Sequence, residues 1–148
     1  KQYDIRSFKV AKFSKGCAGN EIKGVGCVYQ LPSYSPIKAG SEEMKKWDPN
    51  WTAEKVDSYW FKFDNYWAGA KKACDDIGMS LPDKSKLESL AKKTTAEKEQ
   101  LGLPTDGCFW SSSESYATSV YDVCFFNNGS TSIDPKGSGG DKVLCVGD

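Results

Sequence analysis

The spacing of hydrophobic positions changes twice along the chain. Residues 1–34 alternate loosely between apolar and polar, with Tyr3, Ile5, Phe8, Val10 and Phe13 as apolar members, and this period predicts short strands. Cys17 and Cys27 enclose Gly19, Gly24 and Gly26, which predicts a hairpin closed by a local disulfide. Closing so short a loop stabilises by about 2–3 kcal/mol. Pro32, Pro36 and Gly40 mark a connector. From 41 to 63 neither period holds: Trp47, Trp51, Tyr59, Trp60, Phe61 and Phe63 stand among charges. Thr52 is placed to cap a short helical turn there, and the aromatics are expected to pack in the core or beneath a loop.

A helical period then takes over. Trp67, Ala70, Cys74 and Ile77 fall on one face and predict a helix over 65–77. Asp64 or Asn65 can cap its start, and Gly78 suits the left-handed position past its end. Asp83 can cap a second helix over 84–93, with Leu87, Leu90 and Ala91 on one face. Thr95 to Gln100 adds a turn before Gly102 and Pro104. Beyond this, strand-like runs at Cys108–Trp110, Val120–Phe126 and Lys142–Val146 interrupt a stretch dominated by Ser, Thr, Gly, Asn, Asp and Tyr. Asn127-Asn128-Gly129 is a hairpin signal, and Gly137 to Gly140 reads as a loop. That composition resembles a paratope, where small polar residues and Tyr adapt to partners at low ordering cost.

Composition narrows the function. The 148 residues carry 20 basic and 20 acidic side chains, no histidine, six cysteines, five Trp, seven Tyr and seven Phe. A zero net charge offers no basic footprint for nucleic acid or anionic membrane. Without His there is no imidazole base, no Ser-His or Cys-His nucleophile pair and no His-ligated zinc. No run is long and apolar enough to span a bilayer. The length suits one domain over 1–148. The six cysteines contain no C-x-x-C pair, and their even count and wide spacing fit three disulfides in an oxidising compartment. Spacing alone leaves the connectivity open. Lys1 at the start fits a chain trimmed of a signal or anchor. The sequons at Asn50 and Asn128 matter only in a eukaryotic secretory pathway.

The run Trp67…Ala70…Cys74…Gly78-Met79-Ser80-Leu81-Pro82…Leu87…Leu90 resembles the first half of a C-type-lectin-like domain. Phe109-Trp110-Ser111-Ser112-Ser113-Glu114, Phe126-Asn127-Asn128-Gly129, Lys136 and Val143-Leu144-Cys145-Val146 resemble its bacterial branch. That branch includes Lcl-type C-terminal domains and variable proteins of diversity-generating retroelements. The resemblance covers 65–148; residues 1–64 would supply opening strands, the hairpin and an aromatic-rich insertion. It implies an α+β fold, two helices packed on small mostly antiparallel sheets with a long loop region, stapled by disulfides. It also implies Cys74–Cys145, a bridge of roughly 4–5 kcal/mol over so long a loop. Cys108–Cys124 and Cys17–Cys27 then remain. Cys124 departs from the branch, where an inward aliphatic is expected.

The Glu-Pro-Asn, Gln-Pro-Asp and Trp-Asn-Asp signatures of calcium-dependent sugar binding are absent, and Lys136 spoils the nearest approach, Asp134-Pro135-Lys136. The expectation is a calcium-independent domain without cofactor. The family phase turns Cys124, Phe126 and Asp122 inward and Tyr121, Val123 and Phe125 outward. Either that strand is buried on both faces, covered by 41–63, or the three form an exposed patch that marks a binding site. The second outcome, with 108–146 as the binding region, assigns ligand contacts to Ser113, Ser115, Tyr116, Thr118, Tyr121, Val123 and Phe125. Asn127, Ser130, Ser132, Asp134, Ser138, Gly140 and Asp141 are lesser members. Ser111, Ser112 and Glu114 are expected to make structural hydrogen bonds. The implied partner is a protein or glycan on another cell or surface, met by an extracellular adhesin, with no contact to nucleic acid or membrane. The alternatives are the structural head of a pilin-like surface protein and an enzyme. Formylglycine-generating chemistry would use Cys108 and Cys124, but neither has the expected Arg-Gly-Gly-Ser-Trp flank. Glycosidase chemistry would need two of Asp57, Asp64, Glu114 and Asp122, which nothing in the sequence draws together.

Overall fold

A computed structural model describes residues 17–126 and 128–147. The strands expected around Tyr3 to Phe13 lie outside the described residues, as does Asn127. Six strands and five helices follow in the order β1 (Asn20–Ile22), β2 (Gly26–Gln30), α1 (Glu43–Trp47), α2 (Ser58–Phe61), α3 (Tyr66–Asp76), α4 (Lys84–Ala91), α5 (Thr95–Gln100), β3 (Cys108–Tyr116), β4 (Ser119–Cys124), β5 (Ser130–Pro135) and β6 (Leu144–Gly147). Two three-stranded antiparallel sheets form, β1-β2-β6 and β3-β4-β5. This is the disulfide-stapled α+β fold expected from the sequence.

Local chemistry explains the helices. The Asn65 side chain accepts from the Ala68 N–H at 2.8 Å and starts α3, and Gly78 at φ +77° ends it. Gly69 lets α3 press onto the connector, because a Cβ there would stand 2.0 Å from the Ser35 carbonyl oxygen. Asp83 caps α4 through the Lys86 N–H at 2.8 Å. Thr94 and Glu97 form a reciprocal capping box on α5. Within 41–63, the Thr52 carbonyl accepts from the Lys55 and Val56 N–H groups, so a turn does form there, but the Thr52 hydroxyl has no hydrogen-bond partner and does not cap it. Trp51 is buried, Trp47, Trp60, Phe61 and Phe63 are partly buried around it, and Tyr59 is exposed.

The disulfides join Cys17–Cys27, Cys74–Cys145 and Cys108–Cys124. The first lies beside the β1–β2 hairpin, the second ties α3 to β6, and the third links a directly opposed pair on β3 and β4. Three clusters make the core. Leu87, Leu90, Phe109, Val123, Phe125 and Leu144 form one; Trp67, Cys74, Trp110, Val120 and Cys145 belong to a second; Ile37, Met44, Trp51, Val56 and Ala68 form a third.

Candidate functional site

Strand β4 organises the outer sheet, and its two faces are both covered. On one face Val123, together with Phe125 just past the strand, packs with Leu87, Leu90 and Ala91 of α4, and the Phe109 and Phe125 rings meet edge to face at 5.0 Å. On the other face Val120 joins the cluster of Trp67 and Trp110, and Cys124 bridges to Cys108. Val123 and Phe125 are therefore core residues, which corrects their assignment as ligand contacts. The cover is α4 rather than residues 41–63. Phe126, expected inward, is 46% exposed. The alternation was read with one buried phase, whereas a strand sandwiched between two helical layers buries both.

What stays on the surface is the β3–β4 hairpin turn and strand β5. Tyr116 is 70% exposed, the largest exposure among the apolar and aromatic side chains of the outer sheet. Tyr121 is half-buried, with the Lys84 ammonium 4.5 Å above its ring. Directly across from Tyr121 on β5 stands Ile133, 49% exposed. Sequence reasoning passed over Ile133, although it is the one large apolar residue in Ser130-Thr131-Ser132-Ile133-Asp134-Pro135. Ser130, Ser132 and Gly140 are exposed; Ser115, Thr118, Asp134 and Ser138 are half-buried. The half-buried Ser113 hydroxyl is occupied, since it accepts from the Lys84 N–H at 3.0 Å at the start of α4. Among the described residues β5 pairs only with β4, so its other edge presents backbone polar groups.

Ser111 and Glu114 make structural hydrogen bonds as expected, whereas Ser112 is exposed and bonds through its backbone N–H, to the Pro82 carbonyl at 2.9 Å. Between the pairs Trp110–Asp122 and Glu114–Val120 the register shifts, so β3 carries extra residues against β4. The Ser111 hydroxyl stitches this bulge, donating to the Tyr121 carbonyl at 2.7 Å and accepting from the Ser113 N–H at 3.1 Å. The Trp67 indole N–H donates to the Ser111 carbonyl at 2.8 Å. Glu114 accepts from the Lys136 ammonium at 2.7 Å, and Lys136, fully buried, also donates to Asp48 at 2.9 Å. Burial works to raise the Glu114 carboxyl, but the hydrogen bond and charge of Lys136, with Asn50 and Lys71, outweigh it and hold it below the usual range. Asn65 donates to the same Asp48 oxygen at 2.8 Å.

A buried carboxyl cluster lies behind β5. Asp122 and Asp141 are 4% and 6% exposed, so Asp141 is not a surface contact, which corrects its place among the lesser members. Burial, then the hydrogen bond and charge of Asp122, then the charge of Asp134, push the Asp141 carboxyl up to about 9. The Ser132 hydroxyl donates to Asp122. Oxygens of the two carboxyls and the Cys108 sulfur lie within 4.8 Å of one another, the one grouping among the described residues with metal-ligand spacing. The sulfur is bridged to Cys124 and offers no thiolate. The other carboxylates weighed for catalysis have structural work: Asp57 caps α2, and Asp64 accepts from the Ala39 N–H at 2.9 Å.

Small polar residues beside exposed aromatic and aliphatic side chains, on a disulfide-stapled α+β fold, make the kind of surface that binding domains use. Residues 29–146 match the family InvE_AD, described as an adhesion domain, and the chain belongs to that family. The match takes in the aromatic segment 41–63 as well as the helices and the outer sheet. No curated protein matches the chain. Among the described residues no helix is long and apolar enough to cross a membrane.

Proposed function

We propose that the chain is an extracellular, calcium-independent adhesion head that meets a protein or glycan on another cell through the outer sheet. The observation that carries the reading is that exposed Tyr116 on β3, half-buried Tyr121 on β4 and exposed Ile133 on β5 run across the outer sheet among Ser115, Thr118, Ser130, Ser132 and Asp134. Membership in the adhesion-domain family and three disulfides support the location outside the cell. The helix-to-last-strand bridge Cys74–Cys145 supports a C-type-lectin-like topology. The small-polar composition of 111–142 supports diversification by a retroelement. Burial of Lys136 against Asp48 and Glu114, directly after Asp134-Pro135, supports calcium independence. The Cys108–Cys124 bridge and the capping work of Asp57 support binding over catalysis.

The test is adhesion of the purified domain to target cells. Combined Tyr116→Ala and Ile133→Ser should weaken binding at least about tenfold while leaving melting unchanged, since both side chains face solvent. Unchanged adhesion would remove the outer sheet from the reading. Chelation with EDTA should have no effect. The DNA around the gene should hold a reverse transcriptase and a near-copy of the segment encoding 108–146; without the near-copy the domain is a fixed binder.

A further inference from the structure

Lys136 and Asp48 form an ion pair from which water is shut out, with side-chain exposures of 0% and 1%. The Lys136 ammonium donates to Asp48 Oδ2 at 2.9 Å and to Glu114 Oε2 at 2.7 Å, and the Trp67 ring lies 4.5 Å from the nitrogen. Both oxygens of Asp48 are held. Asn65, also fully buried, donates to Oδ2 at 2.8 Å, and the Asn50 backbone N–H donates to Oδ1 at 3.3 Å. A buried ion pair recovers little net stability over apolar packing, so stability alone is a weak reason to keep one. This one sets an amine against a carboxyl carbon, with a second carboxylate on the same nitrogen.

We propose that Lys136 and Asp48 condense into an intramolecular amide, an isopeptide bond from Lys136 Nζ to Asp48 Cγ, with Glu114 carrying the proton. The ammonium first passes a proton to Asp48 Oδ2 across their contact, which gives a neutral amine and a carboxylic acid. The nitrogen lone pair then adds to Cγ, and the carbonyl π pair moves onto Oδ1, where the Asn50 N–H meets the developing charge. Glu114 takes a proton from the attacking nitrogen and returns it to the Oδ2 hydroxyl. That hydroxyl leaves as water with the C–O bonding pair, and the Oδ1 pair restores the carbonyl. One amide forms, one water is released and Glu114 is a carboxylate again, so no further reactant is needed. The fixed contact makes the step effectively unimolecular, and the closed site keeps out the water that would reverse it. The hydrogen bond and charge of Lys136 hold the Glu114 carboxyl below its usual range, so it stays ionised and able to accept. Glu114 is 36% exposed and marks the side on which the released water leaves. The link joins the irregular aromatic segment to the loop after β5 across 88 positions, and it survives reduction where the three disulfides do not. Folding supplies the open ion pair and the link adds to it, so Lys136→Met loses both. Nothing in the step depends on what the outer sheet binds.

The experiment is intact mass spectrometry of the full chain, folded and then denatured and reduced. We expect a mass about 18 Da below that of the sequence, one water lost. Lys136→Arg and Asp48→Ala should each restore the sequence mass. Should either fail to fold, Glu114→Gln decides, because Glu114 stands at the solvent end of the cluster: it should still unfold cooperatively, yet remain mostly unlinked. Tryptic mapping should find the peptide 47–55 joined to the peptide that carries Lys136, with no cleavage after Lys136. That map separates the link from an aspartate that has lost water to its own backbone. The sequence mass in the wild-type chain would overturn the proposal and leave a plain ion pair. A loss of about 17 Da mapped to Asn65 would overturn it in favour of ammonia release from that amide. A water lost without a 48–136 link would overturn it as well, and full linkage in Glu114→Gln would overturn the role given to Glu114.

Discussion

The layer around β4 and the segment from Ile37 to Phe63 bury aromatic side chains by different means. Around β4 the chain uses regular elements: paired strands and a capped helix bring Leu87, Leu90, Phe109, Val123 and Phe125 into contact. Between 37 and 63 the two helices have only five and four residues, and nothing periodic aligns Met44, Trp51 and Val56. Polar pins hold that segment instead. Ile37 and Asn65 exchange backbone hydrogen bonds at 3.0 and 2.8 Å, Lys71 donates to the Trp47 carbonyl at 2.9 Å, and Lys136 and Asn65 converge on Asp48. Strand and helix periodicity satisfies backbone groups automatically; an irregular segment must recruit side chains to do so. It also tolerates unpaired polar atoms, and Ser41, Trp51 and Thr52 are where they gather.

The largest effect should come from the regular layer. Phe125→Ala removes a fully buried ring from between α4 and Phe109 and should cost about 3–5 kcal/mol in urea unfolding. A cost below about 1 kcal/mol would mean that Phe125 faces solvent after all, and the contrast between the two regions would collapse.

The same contrast decides what the sequence shows. Elements with local signals are readable: Asn65 with Gly78 and Asp83 with Leu87 and Leu90 mark α3 and α4 to within a residue or two. The segment 95–100 is readable through its Thr94–Glu97 box. Strand β5 is hidden, because Ser-Thr-Ser-Ile-Asp-Pro has one apolar residue and owes its form to pairing with β4. The facing of Val123 and Phe125 is hidden too, because alternation shows that two phases exist but not that α4, well upstream in the chain, covers the second. Lys136 enters the sequence reading as the residue that spoils a calcium site; only its approach to Asp48, 88 positions away, shows it to be internal. Of the site, the exposed Tyr116, Ser130, Ser132 and Gly140 follow from composition, whereas Ile133 depends on packing.

The next effect tests the pins. Lys136→Met keeps much of the side-chain volume and leaves Asp48 buried with only the neutral donors of Asn65 and the Asn50 backbone N–H. Stripping one member from a buried ion pair should cost about 3 kcal/mol, toward the lower end of its range because Glu114 reaches solvent. The measurement is again urea unfolding, with Trp fluorescence reporting the 41–63 segment. A neutral outcome would show that apolar contacts, not pins, hold the irregular region.

Asp141 gives a smaller, pH-dependent effect. Its carboxyl ordinarily ionises near 4 once unfolded, and in the fold it is pushed up to about 9. Between these values the native state keeps a proton that the unfolded state releases. Its stabilising contribution is therefore complete below about pH 4, declines as pH rises, and is exhausted by about pH 9. The limiting slope is about 1.4 kcal/mol per pH unit. Local rearrangement around the carboxyl relieves part of this, and we expect a loss of about 2 kcal/mol between pH 5 and 8. Asp141→Asn, neutral at every pH, should flatten the decline in melting temperature. An unchanged slope would move the titrating group elsewhere.

The smallest effect lies at the junction of packed layer and proposed surface. Tyr121 sits on the face of β4 that α4 covers, yet the helix ends near it, and what lies over the ring is the Lys84 ammonium at 4.5 Å. A cation over a half-exposed aromatic face is worth about 0.5–1 kcal/mol. A double-mutant cycle with Tyr121→Leu and Lys84→Ala should return a coupling of that size, because Leu keeps an apolar side chain opposite Ile133 and loses only the ring. If Tyr121 belongs to the adhesive surface, Tyr121→Leu should weaken cell binding far more than it weakens the fold. If instead both change together by the same small amount, Tyr121 is the outermost member of the core, and the binding edge begins at Ile133 and Tyr116.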